Sequence, residues 1–132
     1  NLKGMEKEKI IMGSNKQVIL DFYEKVFNEW DLSYVDDHML DTYKQHSAGV
    51  EDGKEGFMKF IKDFVKQEPH ATIIKAIEEN DMVCVFFKCE FKNDTVAKVF
   101  DMYRVEDGKL AEHWDSVMKV DDVECAHPNG HF

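Results

Sequence analysis

From residue 70 to residue 120 the chain alternates apolar and polar side chains with a period of two. Asn80-Asp81, Asn93-Asp94 and Asp107-Gly108 divide the alternation into four runs. All three pairs are turn formers, so this half of the chain is expected to fold as an antiparallel meander. Its strands are Ala71–Glu79, Met82–Lys92, Val96–Val105 and Leu110–Val120. The last turn carries the strongest signal, because Asp-Gly between two alternating runs marks a hairpin.

The first half has helical spacing. Ser14 followed by Gln17 fits a capping box. Val18, Ile19, Phe22, Tyr23, Val26, Phe27 and Trp30 then form one stripe on a helix over 15–29. Asp31 can cap a short helix, Leu32–Met39. Asp41–Ala48 reads as a short strand with Tyr43, Gln45 and Ser47 on one side and Lys44 and His46 on the other. Phe57, Phe60, Ile61, Phe64 and Val65 mark a third helix over 54–67, stopped by Pro69. Gly56 lies inside it at a cost of about 1 kcal/mol relative to Ala, and a close packing contact is one reason to keep it there. Three helices followed by a meander give an α+β fold, with the helices on one face of the sheet.

A chain of 132 residues suits one domain, assigned to 14–132, with a polar, flexible N-terminal segment over 1–13 in which Met5 is a candidate natural start. Lys plus Arg is 17 against 27 Asp plus Glu, a formal charge of −10. That charge excludes nucleic acid and anionic membrane surfaces as expected partners. No apolar run reaches the roughly 18 residues of a membrane span, and the first residues lack the apolar core of a signal peptide. Cys84, Cys89 and Cys125 include no CxxC and are expected to be reduced thiols in a cytoplasmic protein.

The final hairpin carries polar groups where core strands carry apolar ones. Ala97, Val99, Asp101, Tyr103 and Val105 share one face of the third long strand, and Ala111, His113, Asp115 and Val117 share one face of the fourth. A three-residue loop, Glu106-Asp107-Gly108, opposes Asp101 to His113 and Val99 to Asp115, which clusters the three polar groups beside Tyr103. A two-residue loop opposes Asp101 to Trp114 and breaks the cluster. The three-residue loop is the expectation. Two carboxylates and an imidazole on one wall suit proton chemistry. A carboxylate in an apolar cavity can take a proton from a carbon next to a carbonyl, and a neighbouring donor can hold the enolate oxygen. The competing reading sends these side chains to solvent. Asp101, His113, Asp115 and His46 are legitimate ligand types, but without a local motif such as HExxH no metal and no cofactor are expected.

The segment FDMYRVEDGKLAEHWD, Phe100–Asp115, resembles the signature of the SnoaL-like polyketide cyclases of the NTF2-like superfamily. The order of elements agrees over about residues 15–132, and the tail HPNGHF resembles endings in a subgroup of predicted aldol-condensation enzymes. The resemblance implies an NTF2-like α+β cone, three N-terminal helices packed on a curved, mainly antiparallel sheet around a pocket. It also implies a homodimer through the outer sheet face, with Trp114, Met118 and Leu110 toward the partner. By motif match, Asp115 and His113 stand where the family's cyclases carry the acid–base chemistry of an aldol ring closure. Asp101 stands where the family has a further histidine, and an Asp donates a hydrogen bond only when protonated. Tyr43, Gln45 and His46 resemble the family's pocket-rim strand, and with Tyr103 they are the expected ligand-binding residues.

Three functions fit these expectations. The first is a cofactor-independent enzyme performing aldol condensation, cyclisation or isomerisation on a small hydrophobic ligand, with Asp115 as base. The second is a small-molecule-binding module without turnover. The third is a dimeric interaction protein whose cavity is filled by side chains. The fold hosts all of them. An open cavity of a few hundred Å3 would count against the third.

Overall fold

The computed structural model describes residues 14–132. The N-terminal segment expected over 1–13, with Met5 in it, lies outside the described residues.

Ser14 caps the first helix by accepting from the Gln17 backbone N–H at 3.2 Å, while the Gln17 side chain donates forward to Asp21. Helix α1, Asn15–Phe22, does not continue regularly to residue 29. It widens into a π-helical turn, Tyr23–Asn28, a form that adds a residue to the turn and rotates the side chains around it. Helix α2 is Ser33–His38, with the Asp31 carboxylate accepting from the Ser33 N–H and hydroxyl. Strand β1 is Met39–Gln45 and helix α3 is Gly53–Phe64, tightened into a 3-10 turn over Val65–Gln67. Strands β2 His70–Glu79, β3 Met82–Glu90, β4 Val96–Glu106 and β5 Lys109–Lys119 form the meander.

The sheet runs β1-β5-β4-β3-β2, antiparallel except where β1 pairs parallel to β5. A shift between Ile73 and Lys75 breaks the β2–β3 ladder and a second lies in the β4–β5 hairpin. Irregularities of this kind bend a sheet. The concave face takes the apolar stripes of the helices: Ile19, Phe22, Tyr23 and Val26 with Phe57 and Ile61, against Val83, Val85, Phe87 and Tyr103. Gly56 is required by contact, since a Cβ there would lie 2.1 Å from the Glu51 carbonyl oxygen.

The final hairpin departs from expectation in an instructive way. Its loop has two residues, Asp107 and Gly108, both at positive φ (50° and 74°), and Glu106 pairs with Lys109. This is the type I′ geometry that matches strand twist. Alone it would scatter the polar group. One residue later, however, Val105 pairs with Leu110 and Arg104 with Glu112, so Ala111 is a bulge. The extra residue restores the parity: Asp101 opposes Asp115, and Tyr103 opposes His113. The bulge also corrects the placement of Leu110. Leu110 and Ala111 are both buried, at 0% and 1% exposure, so Leu110 belongs to the core and not to the outer face. Trp114 and Met118 do lie on the outer face, opposite Met102 and Lys98. Cys84, Cys89 and Cys125 are free, with Cys84 exposed and Cys89 buried. Among the described residues no helix is long and apolar enough to cross a membrane.

Candidate functional site

Between the concave face and α3 lies a cavity of about 280 Å3. Phe57, Phe60 and Phe64 of α3 form one wall, with Phe27, Phe87 and Phe91 completing the aromatic lining. The aromatic side chains therefore leave the space open instead of filling it. The order of residues along β4 grades the cavity from apolar to polar. Ala97 and Val99 come first, then Asp101 and Tyr103. The exposed Asp115 and Val117 stand at the mouth, while Asp101 and His113 are buried at the inner end, 6% and 8% exposed.

The inner end is a closed hydrogen-bond network. Asp101 Oδ2 accepts from the Tyr23 hydroxyl in a short bond and from the Tyr103 hydroxyl at 3.2 Å, and the two phenols lie 2.9 Å apart. Asp101 Oδ1 lies 3.1 Å from His113 Nε2. On the other side of the ring, His113 Nδ1 lies 2.6 Å from Gln45 Oε1. That same oxygen accepts from the backbone N–H groups of His46 at 3.1 Å and Ser47 at 2.9 Å. Backbone N–H groups only donate, so this atom is the amide oxygen and Nδ1 must carry a hydrogen. With Nδ1 protonated, Nε2 and Asp101 Oδ1 share a single proton between them. The pair is either imidazolium with carboxylate or imidazole with carboxylic acid, and in both forms a ligand oxygen must share that proton or displace one partner to receive it. Gln45 is itself held by its backbone N–H, which donates to Asp52 at 2.8 Å.

Burial, then the negative charge of Asp101, pushes the Tyr23, Tyr103 and Tyr43 phenols well above the ordinary tyrosine range. They stay neutral, so Tyr23 and Tyr103 remain donors toward Asp101. Burial, then the same carboxylate, lifts the Cys89 thiol in the cavity wall to about 12, which makes it a neutral wall group and not a nucleophile.

The two carboxylates thus have different surroundings. Both Asp101 oxygens are engaged, by two phenols and an imidazole. Asp115 is exposed, and among the described residues it accepts one hydrogen bond, from the Ser47 hydroxyl at 2.9 Å. Ligand atoms of Asp101, His113 and Asp115 lie within 4.8 Å of one another. Both imidazole nitrogens are already committed, so a metal would have to break one of those bonds.

The structure therefore gathers Asp101, His113, Asp115, Tyr43, Gln45 and Tyr103 around one cavity. His46 is the exception and a correction. It follows Gln45 in an extended segment, so its side chain points to the opposite face, where it stacks on Trp114 at 4.8 Å and meets Glu112 Oε2 at 2.7 Å. Tyr23 and Ser47 belong to the network but were not among the expected site residues. Tyr23 was read as part of an apolar stripe, although a buried phenol needs a partner for its hydroxyl.

A sequence model of the SnoaL-like polyketide cyclases matches residues 17–121. The chain belongs to that family. Solved structures place this SnoaL-like chain in the NTF2-like α+β fold. TsrD of Streptomyces laurentii superposes with a TM-score of 0.66 at 20% identity over 78% of this chain and 87% of its own. IdmH of Streptomyces antibioticus, described as a candidate polyketide cyclase, gives 0.63 at 20% identity over 79% and 91%. An NTF2-like protein of unknown function from Cytophaga hutchinsonii gives 0.66 at 15% identity over 80% and 90%. No curated protein matches this SnoaL-like chain.

Proposed function

We propose that this SnoaL-like chain moves protons at a carbon next to a carbonyl, in an aldol condensation, cyclisation or isomerisation of a small hydrophobic ligand, without a cofactor. The observation that carries the reading is the division of labour between two neighbouring carboxylates on one wall of an apolar cavity, Asp101 held in a buried network and Asp115 opposite it exposed. Asp115, with lone pairs to spare, takes the α-proton. The C–H electron pair becomes the enolate double bond, and charge moves to the carbonyl oxygen. The proton between His113 Nε2 and Asp101 Oδ1 is shared with that oxygen as its charge grows, the existing His113–Asp101 bond loosening to allow it. Asp101 orients the imidazole, and Tyr23 and Tyr103 orient Asp101.

The test is α-deuterium uptake by ethyl benzoylacetate in D2O, followed by proton NMR against the buffer rate. Asp115→Asn is expected to lower the enzymatic rate by about 100-fold or more, the typical contribution of a positioned base, with an unchanged far-UV CD spectrum. An unchanged rate removes Asp115 from the mechanism. The exposure of Asp115 favours a second reading, ligand binding without turnover, and saturable binding with uptake at the buffer rate would establish it.

The outer sheet face supports a homodimer as part of the same proposal. Phe86 and Phe100 stack there at 4.4 Å, and Phe100 and Met118 are 51% and 49% exposed. With Trp114 beside them they form an apolar face suited to a second copy. Sedimentation equilibrium is expected to give the two-chain mass, and Phe100→Asp the one-chain mass.

A further inference from the structure

We infer that the ligand of this cavity is an uncharged, flat molecule of one or two rings that sets an oxygen against the Asp101–His113 pair. The inference rests on the reading that this cavity is the working site, and it names the substrate class.

Charge comes first. Among the described residues the lining contains neither Lys nor Arg, and its acidic groups are Asp101 and Asp115. A carboxylate, phosphate or sulfate on the ligand would enter an aromatic wall beside two carboxylates, where the one basic side chain, His113, is already paired with Asp101, and a buried charge without a partner is costly. A cation fares little better. The inner carboxylate, Asp101, is already bonded to Tyr23, Tyr103 and His113, and the open one, Asp115, is exposed at the mouth. What the inner end offers is a single shared proton, which suits a neutral carbonyl or hydroxyl oxygen.

Size comes next. An apolar cavity of roughly 150 Å3 holds one benzene. The cavity here, at about 280 Å3, is a little under twice that and falls just below the roughly 300–1,000 Å3 of pockets that enclose drug-sized ligands. One or two fused rings fit between the walls, and four do not. The polar groups Asp101, His113 and Asp115 gather on one wall, with ligand atoms within 4.8 Å of one another, so the ligand's oxygen belongs on that side and its rings against the phenylalanines.

The test is an amide-resolved NMR titration of the intact protein at pH 7 with four probes. 2-Acetylnaphthalene is expected to bind and to shift the Asp101 and His113 amides. 2-Naphthoate and 2-naphthylmethylammonium, with the same rings and either charge, are expected to bind about 10-fold or more weakly. 1-Pyrenemethanol, with four fused rings, is expected to leave those amides unmoved. Equal affinity for either charged probe overturns the charge assignment. Pyrenemethanol shifting the same amides overturns the size limit. Failure of 2-acetylnaphthalene to bind the folded protein overturns the inference as a whole. Selective binding with no deuterium uptake leaves this inference standing and sinks the catalytic reading alone.

Discussion

The two faces of the β1–β5 edge each hold a histidine beside a carboxylate, and they differ in everything but residue type. Outside, His46 meets Glu112 at 2.7 Å, with 41% of its side chain exposed. Inside, His113 meets Asp101 at the longer distance of 3.1 Å with 10% exposed. The outer pair is shorter, and its hydrogen bonds from His46 and then Arg104 hold Glu112 below the usual carboxylate range. Even so, the outer pair is the weaker device, because water competes for both partners and screens them. The inner pair is tied to two phenols and an amide oxygen and is largely buried, so water competes for it far less. Environment, more than distance, separates a surface ion pair from a proton-holding dyad.

Five substitutions and one deletion test this contrast, beginning with the largest effect. Paired with the Asp115→Asn loss of about 100-fold or more, Glu112→Gln on the outer face is expected to leave deuterium uptake unchanged. If both variants lose activity equally, the faces do not divide function. Stability separates them next. Asp101→Ala removes one partner from a buried charged network and is expected to cost about 3 kcal/mol or more in urea unfolding. Glu112→Ala is expected to cost less than about 1 kcal/mol. Comparable losses would show that the inner network is not the buried unit described.

A subtler effect is spectroscopic. Nitrogen-15 correlation spectra of the imidazoles are expected to show His113 with a protonated Nδ1. Gln45→Leu should remove that preference while leaving His46 as it is, and an unprotonated Nδ1 in the parent protein would break the proton count. A small effect on activity is expected from deleting Ala111. Its removal turns the bulge into a regular ladder and keeps Asp101 opposite Asp115. The cost should be near that of one buried methyl, about 1 kcal/mol, and uptake should persist.

The bulge also marks how far the sequence could be read. The strands, the helix order and the clustering of Asp101, His113 and Asp115 followed from periodicity and turn residues. The loop length did not, because two errors of parity cancelled: the loop is one residue shorter than expected and β5 holds one residue more than the ladder needs. The adjacent apolar pair Leu110-Ala111, out of step with the alternation, was the available signal. Leu110 went to the wrong face for the same reason. Tyr23 was hidden differently. An α-helical stripe predicts burial, but the widening at Tyr23–Asn28 has no Pro or Gly to announce it, and which wall a buried hydroxyl reaches is set by tertiary packing. The parallel pairing of β1 with β5 was equally invisible, since no local pattern encodes a contact between distant segments.

That parallel pairing has a consequence for the order in which the molecule assembles. β2 to β5 can zip through successive short hairpins, each closing a small loop. Gln45 reaches His113 only across 68 positions of chain, through an edge strand whose register breaks between Met39 and Lys44. Loop-closure entropy makes such a contact late to form, and sparse edge pairing makes it early to open. The carboxylates and the imidazole are brought together by the fast-forming part of the sheet. The hydrogen on His113 Nδ1 gains its acceptor only when the last strand docks, so local opening of one edge would release the ring while the fold persists.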